Sequence, residues 1–279
     1  FERAFLGLGL LIMSSLTLAG PPLGDNWSTF KKDAAHTAIN RKEDIRLPVK
    51  NKWSFSGLKP GISYTSPVIH DGRVYVGELG GKFYALQADS DVTPQIIWSF
   101  ENFTSVDSSP VVGFGMVIFG TNEGQVHAYD AVTGAFKWSY KARGAIFGSP
   151  VFDENGRIFF ADSSGTVTAI EAVGAVAPVA PYWEAKLNGP LWASPTVFGS
   201  YVFVPTLKGK VFRLDRIPSG PIIPMEIFDA DSPIRGSLVA FDKAGDIALV
   251  FGTLGRDGTP PKRIMIRGDS MNDVYWSVT

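Results

Sequence analysis

The sequence contains no cysteine. This absence excludes disulfide bonds, thiolate metal sites and a cysteine nucleophile. Net charge is almost absent too, because 26 basic and 27 acidic residues leave a formal net charge of -1. Without a basic excess, the composition gives no indication of a nucleic-acid partner.

Long hydrophobic runs are also scarce. The N-terminal run Ala4–Leu18 contains no charged residue, but it is shorter than the about 20 residues that a bilayer span needs. Arg3 precedes it and Pro21-Pro22 follow, which is typical of a secretory signal. We predict a signal peptide or membrane anchor over residues 1–22. The protein is then exported, periplasmic or extracellular, and contacts a membrane only through this segment if it is not cleaved.

The sequence is instead rich in repeats. Four stretches share a first landmark, a serine that starts a Ser-Pro pair and precedes two apolar runs; these serines are Ser66, Ser109, Ser149 and Ser194. A glycine follows each serine by 15 or 16 positions, at Gly81, Gly124, Gly165 and Gly209. An aromatic residue ends each repeat, at Trp98, Trp138, Trp183 and Phe228. A weaker fifth copy starts at Ser237.

Each repeat contains four short β-type runs. The glycines lie between two runs, where a hairpin needs a positive φ. A period of about 40–45 residues with four strands is typical of a propeller blade. We therefore predict an all-β propeller of four-stranded antiparallel blades over residues 23–279, with five recognisable repeats. We interpret the tryptophans Trp53, Trp98, Trp138 and Trp183 as a structural girdle between neighbouring blades.

The repeat resembles the pyrroloquinoline-quinone-type propeller repeat, best seen in Ser109–Tyr140 with "YDAVTG" at Tyr129–Gly134. The segment "NWSTFKKDAAHTAIN" (Asn26–Asn40) looks like the stretch that opens such proteins after the export signal. The resemblance implies a ring of seven or eight blades. Five repeats then predict an incomplete ring, with a small or open ring as the alternative.

Catalytic and metal sites are not evident in the sequence. The resemblance implies a quinone held above calcium by a tryptophan and a vicinal disulfide, which a chain without cysteine cannot form. His36, His70 and His127 are too scattered for a metal triad. We expect His127 to be a packing residue and His36 to satisfy backbone groups. We predict no catalytic residue and no cofactor, neither pyrroloquinoline quinone nor calcium.

The connections between blades carry the residues that suit binding, since aromatic and arginine side chains on rigid scaffolds form protein-binding hot spots. The candidates are Tyr64, Phe103, Arg143, Phe147, Trp192 and Arg235. The alternative is that these loops only fill the channel mouth.

We predict an exported scaffold that binds envelope proteins, resembling the propellers of outer-membrane protein assembly. Two alternative hypotheses remain. The chain is a quinoprotein-like dehydrogenase or a fragment of one, or it is a sensory or adhesive ectodomain.

Overall fold

The computed structural model describes residues 27–37, 53–58, 65–89, 93–101, 103–177, 179–256, 258 and 260–279. None of these residues is helical, and the strands form five four-stranded antiparallel sheets. The predicted all-β propeller architecture is therefore confirmed. The predicted signal or anchor at residues 1–22 lies outside the described residues, as does Tyr64.

Each sheet is one blade, in which every strand pairs with the next strand in the chain. Blade 1 contains β1 (Val68–His70), β2 (Arg73–Gly77), β3 (Phe83–Gln87) and β4 (Ile96–Phe100). Blade 2 contains β5 (Val111–Gly113), β6 (Met116–Gly120), β7 (Gln125–Asp130) and β8 (Phe136–Lys141). Blade 3 contains β9 (Val151–Phe152), β10 (Arg157–Ala161), β11 (Thr166–Glu171) and β12 (Trp183–Lys186).

The last two blades follow the same order. Blade 4 contains β13 (Thr196–Phe198), β14 (Tyr201–Pro205), β15 (Lys210–Asp215) and β16 (Met225–Asp229). Blade 5 contains β17 (Val239–Lys243), β18 (Asp246–Gly252), β19 (Arg263–Arg267) and β20 (Val274–Val278). The second strands of blades 2 and 3 are buried along their whole length, and β-branched and aromatic side chains are prominent in them.

The core lies between the blades. Separate clusters of buried apolar side chains join blade 1 to 2, 2 to 3, 3 to 4, and 4 to 5. Trp138 is fully buried in the cluster that joins blades 2 and 3, and Trp183 belongs to the cluster that joins blades 3 and 4. Within the described part of the chain, no core cluster joins blade 5 to blade 1.

The repeat serines link successive blades by hydrogen bonds. The backbone N–H of Ser66 donates to Ser109 Oγ (2.7 Å), and that of Ser109 donates to Ser149 Oγ (3.0 Å). The N–H of Ser149 donates to Ser194 Oγ (2.8 Å), and that of Ser194 to Ser237 Oγ (3.0 Å). The serine ladder formed by these five residues explains why serine recurs at the start of each blade.

Two opposite loop faces result from the meander. The connection face holds the turns between second and third strands and the links from one blade to the next; Phe103 N donates to Gly81 O (3.1 Å) across it. The hairpin face holds the turns between first and second strands and the loops between third and fourth strands. There, Ala131 N donates to Gly115 O (3.0 Å).

The four landmark glycines lie in the turns of the connection face and all have positive φ. At Gly81, with φ 80°, a Cβ atom would lie only 1.7 Å from Phe103 O. The turn therefore needs glycine both for its backbone conformation and for the close approach of the next connection.

Residues 27–37 cross the innermost strands and form what we call the hub segment. Trp27 pairs with Ile69 of β1, and Ser28 O accepts a hydrogen bond from Val112 N of β5 (2.7 Å). Its other hydrogen bonds reach blades 4 and 5: Ala34 O accepts from Val197 N (2.8 Å) and Ala35 O from Ala240 N (2.9 Å). One short segment thus joins the first strands of four blades.

Candidate functional site on the connection face

Three of the predicted binding residues come together on the connection face. The ring centroids of Phe147 and Trp192 are 5.0 Å apart, and the Arg235 guanidinium lies 4.8 Å from the Trp192 ring centroid. Phe147 and Trp192 are half-buried, and Arg235 is exposed. We call these residues the aromatic–arginine row; it runs across the connections that follow blades 2, 3 and 4.

The row has a simple origin in the repeat. Phe147, Trp192 and Arg235 each lie two positions before a repeat serine. The residue immediately before each of them is fully buried and aliphatic; these residues are Ile146, Leu191 and Ile234. Because this aliphatic side chain points into the core, the next side chain is turned toward solvent. The same position is Tyr64 in the first repeat and Asp107 in the second.

Asp107 does not extend the row as a free charge. It is buried and accepts hydrogen bonds from Ser105 Oγ (3.0 Å) and Asn122 Nδ2 (2.6 Å). Its carboxylate therefore stabilises its own connection instead of facing a partner.

Phe103 is a packing residue of the first two blades. Its ring lies 5.3 Å from the Phe119 ring and 5.0 Å from the His127 ring. It is partly buried against the cluster that joins blades 1 and 2. Its ring is therefore committed to the core and presents only part of its surface to a partner.

Arg143 is held in an interblade network. Its Nη2 atom donates to Glu184 Oε2 (2.8 Å), and Tyr140 OH donates to Glu184 Oε1 (2.7 Å). The hydrogen bond from Arg143 holds the pKa of Glu184 below its usual value. Burial, with the bond to Glu184, raises the pKa of Tyr140 to about 12. Sequence reasoning missed Glu184 and Tyr140, because no local signal links them to Arg143.

The residues near the axis do not fit a calcium-bound quinone. Throughout the described residues, no group of three His, Asp or Glu side chains converges on one point. The hub segment crosses the first strands, and His36 within it is buried with Nδ1 3.1 Å from Leu238 O. Burial lowers the pKa of His36 to about 4, so this imidazole is neutral at pH 7. The lack of a cofactor stays a prediction.

Comparison with known proteins supports the same repeat. Residues 50–172 match the protein family described as outer membrane protein assembly factor BamB. The resemblance to pyrroloquinoline-quinone-type propellers is confirmed. Among relatives of this propeller type, BamB of Burkholderia pseudomallei is 26% identical over 206 residues, covering 68% of this chain and 52% of the relative. The chain thus spans about half the length of that relative.

Two solved propellers share the fold. BamB from Moraxella catarrhalis superposes with a TM-score of 0.62 at 18% identity, over 81% of this chain and 64% of the other. Quinohemoprotein alcohol dehydrogenase from Comamonas testosteroni superposes with a TM-score of 0.68 at 16% identity, over 91% of this chain and 49% of the other. At these identities the likeness describes the fold only, which binding proteins and enzymes share.

Proposed function

We propose that this chain is an exported, non-catalytic propeller scaffold that binds other proteins during outer-membrane protein assembly. The observation that carries the proposal is the aromatic–arginine row, supported by the similarity to BamB relatives. Trp and Arg are the residues most enriched in binding hot spots. A partner would bury the exposed parts of Trp192 and Arg235 together, which desolvates a stacked cation–aromatic pair.

Cross-linking in the cell envelope tests this proposal. A photoreactive amino acid at Trp192 is expected to form an adduct with a component of the outer-membrane assembly machinery. A matched control places the same group at Val132, which is exposed on the hairpin face. Arg235→Ala should weaken the adduct at 192 about thirtyfold, since losing a hot-spot contact costs roughly 2 kcal/mol. Equal adducts from both positions would contradict the proposal.

The alternative hypothesis, that the chain is a quinoprotein dehydrogenase, is tested separately. Pyrroloquinoline quinone, with and without calcium, is titrated into the folded full chain in a calorimeter. No heat of binding is expected, because the hub segment already crosses the first strands of four blades and pairs with them. Saturable, calcium-dependent binding would refute the non-catalytic reading whatever the cross-linking shows.

A further inference from the structure

The hairpin face carries an exposed apolar surface that the proposed function does not use. It is formed by two neighbouring loops, residues 172–182 after β11 and residues 216–224 after β15, which we call the apolar loop pair. Val176 is 79% exposed and Ile223 is 78% exposed. Val173, Tyr182 and Ile217 of the same loops are also exposed. Large aliphatic side chains in this state indicate a contact surface when they are grouped.

The two loops are adjacent. Trp183, directly after the first loop, donates its indole N–H to Arg216 O at the start of the second (3.2 Å). Both loops are proline-rich, with Pro178 and Pro181 in one and Pro218, Pro221 and Pro224 in the other. Proline restricts the backbone, so the exposed side chains are presented at a low cost in conformational entropy.

Charge is nearly absent from the apolar loop pair. Residues 172–182 contain no charged residue, and residues 216–224 contain only Arg216. Arg216 forms an ion pair with Glu154 (2.5 Å). At the edge of the pair, Arg157 binds Glu171 (2.6 Å) and lies 4.6 Å from the Tyr182 ring centroid. Paired charges lower the electrostatic cost of bringing this surface to a medium of low dielectric constant.

The chain also enters the domain at this face. Trp27 pairs with Ile69, and Ser28 Oγ lies 2.7 Å from His70 Nδ1, next to the turn between β1 and β2. Only eight residues, 19–26, separate Trp27 from the uncharged apolar run that ends at Leu18. At ~3.5 Å per residue they span at most about 28 Å. If the run lies in a bilayer, the hairpin face is therefore kept close to that bilayer.

We propose that the apolar loop pair is a lipid-contacting surface that rests on the membrane to which the N-terminal segment tethers the propeller. Val176 and Ile223 insert at the boundary between headgroups and acyl chains, and Tyr182 lies at the polar level, where its ring and hydroxyl suit both environments. Contact is made by blades 3 and 4, because Val176 and Ile223 are the most exposed large apolar side chains among the described residues. Because the surface is nearly neutral, its binding is insensitive to salt.

The absence of cysteine makes the test direct. Single variants Val176→Cys and Ile223→Cys of the full chain are labelled with an environment-sensitive fluorophore and mixed with phosphatidylethanolamine–phosphatidylglycerol vesicles. A matched control is Leu254→Cys, which is 55% exposed on the connection face. Labels at 176 and 223 are expected to shift to shorter emission wavelength and to resist quenching by iodide. The label at 254 is expected to stay in water.

Partitioning gives a second measurement. Ile223→Asp should lower the vesicle partition coefficient of the full chain about tenfold, whereas Leu254→Asp should leave it unchanged. If the chain binds vesicles but the labels at 176 and 223 respond no more than the label at 254, the N-terminal segment alone holds the membrane and the proposal is wrong. The same conclusion follows if these labels respond to a protein partner and not to lipid. Cross-linking at Trp192 is on the opposite face, so the two proposals can fail independently.

Discussion

His127 is a half-buried polar residue in an aromatic setting. Its ring lies 5.0 Å from the Phe103 ring and 5.7 Å from the Phe119 ring. Within the described residues, its Nδ1 atom is buried without a hydrogen-bond partner. Burial lowers the pKa of His127 to about 4. Such a group destabilises the fold increasingly as the solution becomes acidic, because the unfolded chain binds a proton that the native site rejects.

Replacing His127 with phenylalanine should stabilise the protein. Phe212 occupies the equivalent position of blade 4, so the ring fits the fold. Between pH 7 and pH 5 the histidine costs about 2 kcal/mol of unfolding free energy, since its unfolded pKa of 6.5 falls to about 4 on folding. His127→Phe should remove that part of the pH dependence, as measured by urea unfolding at both pH values. An unchanged difference between the two pH values would mean that His127 is hydrated in solution.

The sequence indicated the structural role of some residues but not all the contacts of others. The packing role expected for His127 agrees with its aromatic surroundings. This role could be predicted because the other repeats show which side chains occupy that position. Arg143 was chosen as a binding residue, and the sequence did not show that it also contacts Glu184 in the next blade. Its side chain is 66% exposed, and its role in binding stays a prediction. A repeat alignment compares equivalent positions, and it does not show which non-equivalent positions meet across a blade boundary.

At the scale of the element, the serine ladder ties each blade to the next at its first residues. Every bond joins a backbone N–H to the hydroxyl of the following repeat serine. Ser109, Ser149 and Ser194 are buried, so a lost acceptor leaves a donor without water. An unsatisfied buried N–H costs about 1–3 kcal/mol.

Ser149→Ala should therefore lower the unfolding free energy by about 1–3 kcal/mol, because the Ser109 N–H loses its acceptor. Ser66→Ala is the matched control, since no repeat serine precedes Ser66 among the described residues and its own N–H donation is kept. It should change the stability by less than Ser149→Ala in the same denaturant titration. Equal losses from both variants would show that the hydroxyl packs and does not act as an acceptor.

The strands and their turns could be predicted because the same pattern occurs five times. Spacing alone marked Gly81 and Gly124 as turn residues, and both have positive φ. The aromatic–arginine row was only half predicted. Its members were chosen as aromatic or basic loop residues, whereas what aligns them is their common position two residues before a serine.

At the scale of the whole molecule, the hub segment connects blades that are distant in sequence. His36 Nδ1 lies 3.1 Å from Leu238 O and 3.1 Å from Thr196 Oγ1, and its ring packs edge-on against Phe30. The sequence identified this stretch only as an opening segment. Its hydrogen bonds reach strands as far as 200 residues away, and no periodic signal marks such contacts.

Removing the imidazole of His36 should weaken the contacts of the hub segment with blades 4 and 5. His36→Ala takes away the contacts with Leu238 and Thr196, which should lower the unfolding free energy by about 1–3 kcal/mol. Hydrogen exchange measures where the loss occurs. The amides of Val197 and Ala240, which donate to the hub segment, should exchange about tenfold faster or more.

The amide of Val112 provides the decisive comparison. It donates to Ser28 at the other end of the hub segment, where Trp27 and Ser28 keep their own contacts with blade 1. If the segment opens locally, Val112 should stay protected in His36→Ala while Val197 and Ala240 exchange faster. Leu254→Ala, at an exposed position outside the hub segment, should change none of the three. Uniformly faster exchange at both ends would instead mean that the hub segment and the five blades open as one cooperative unit.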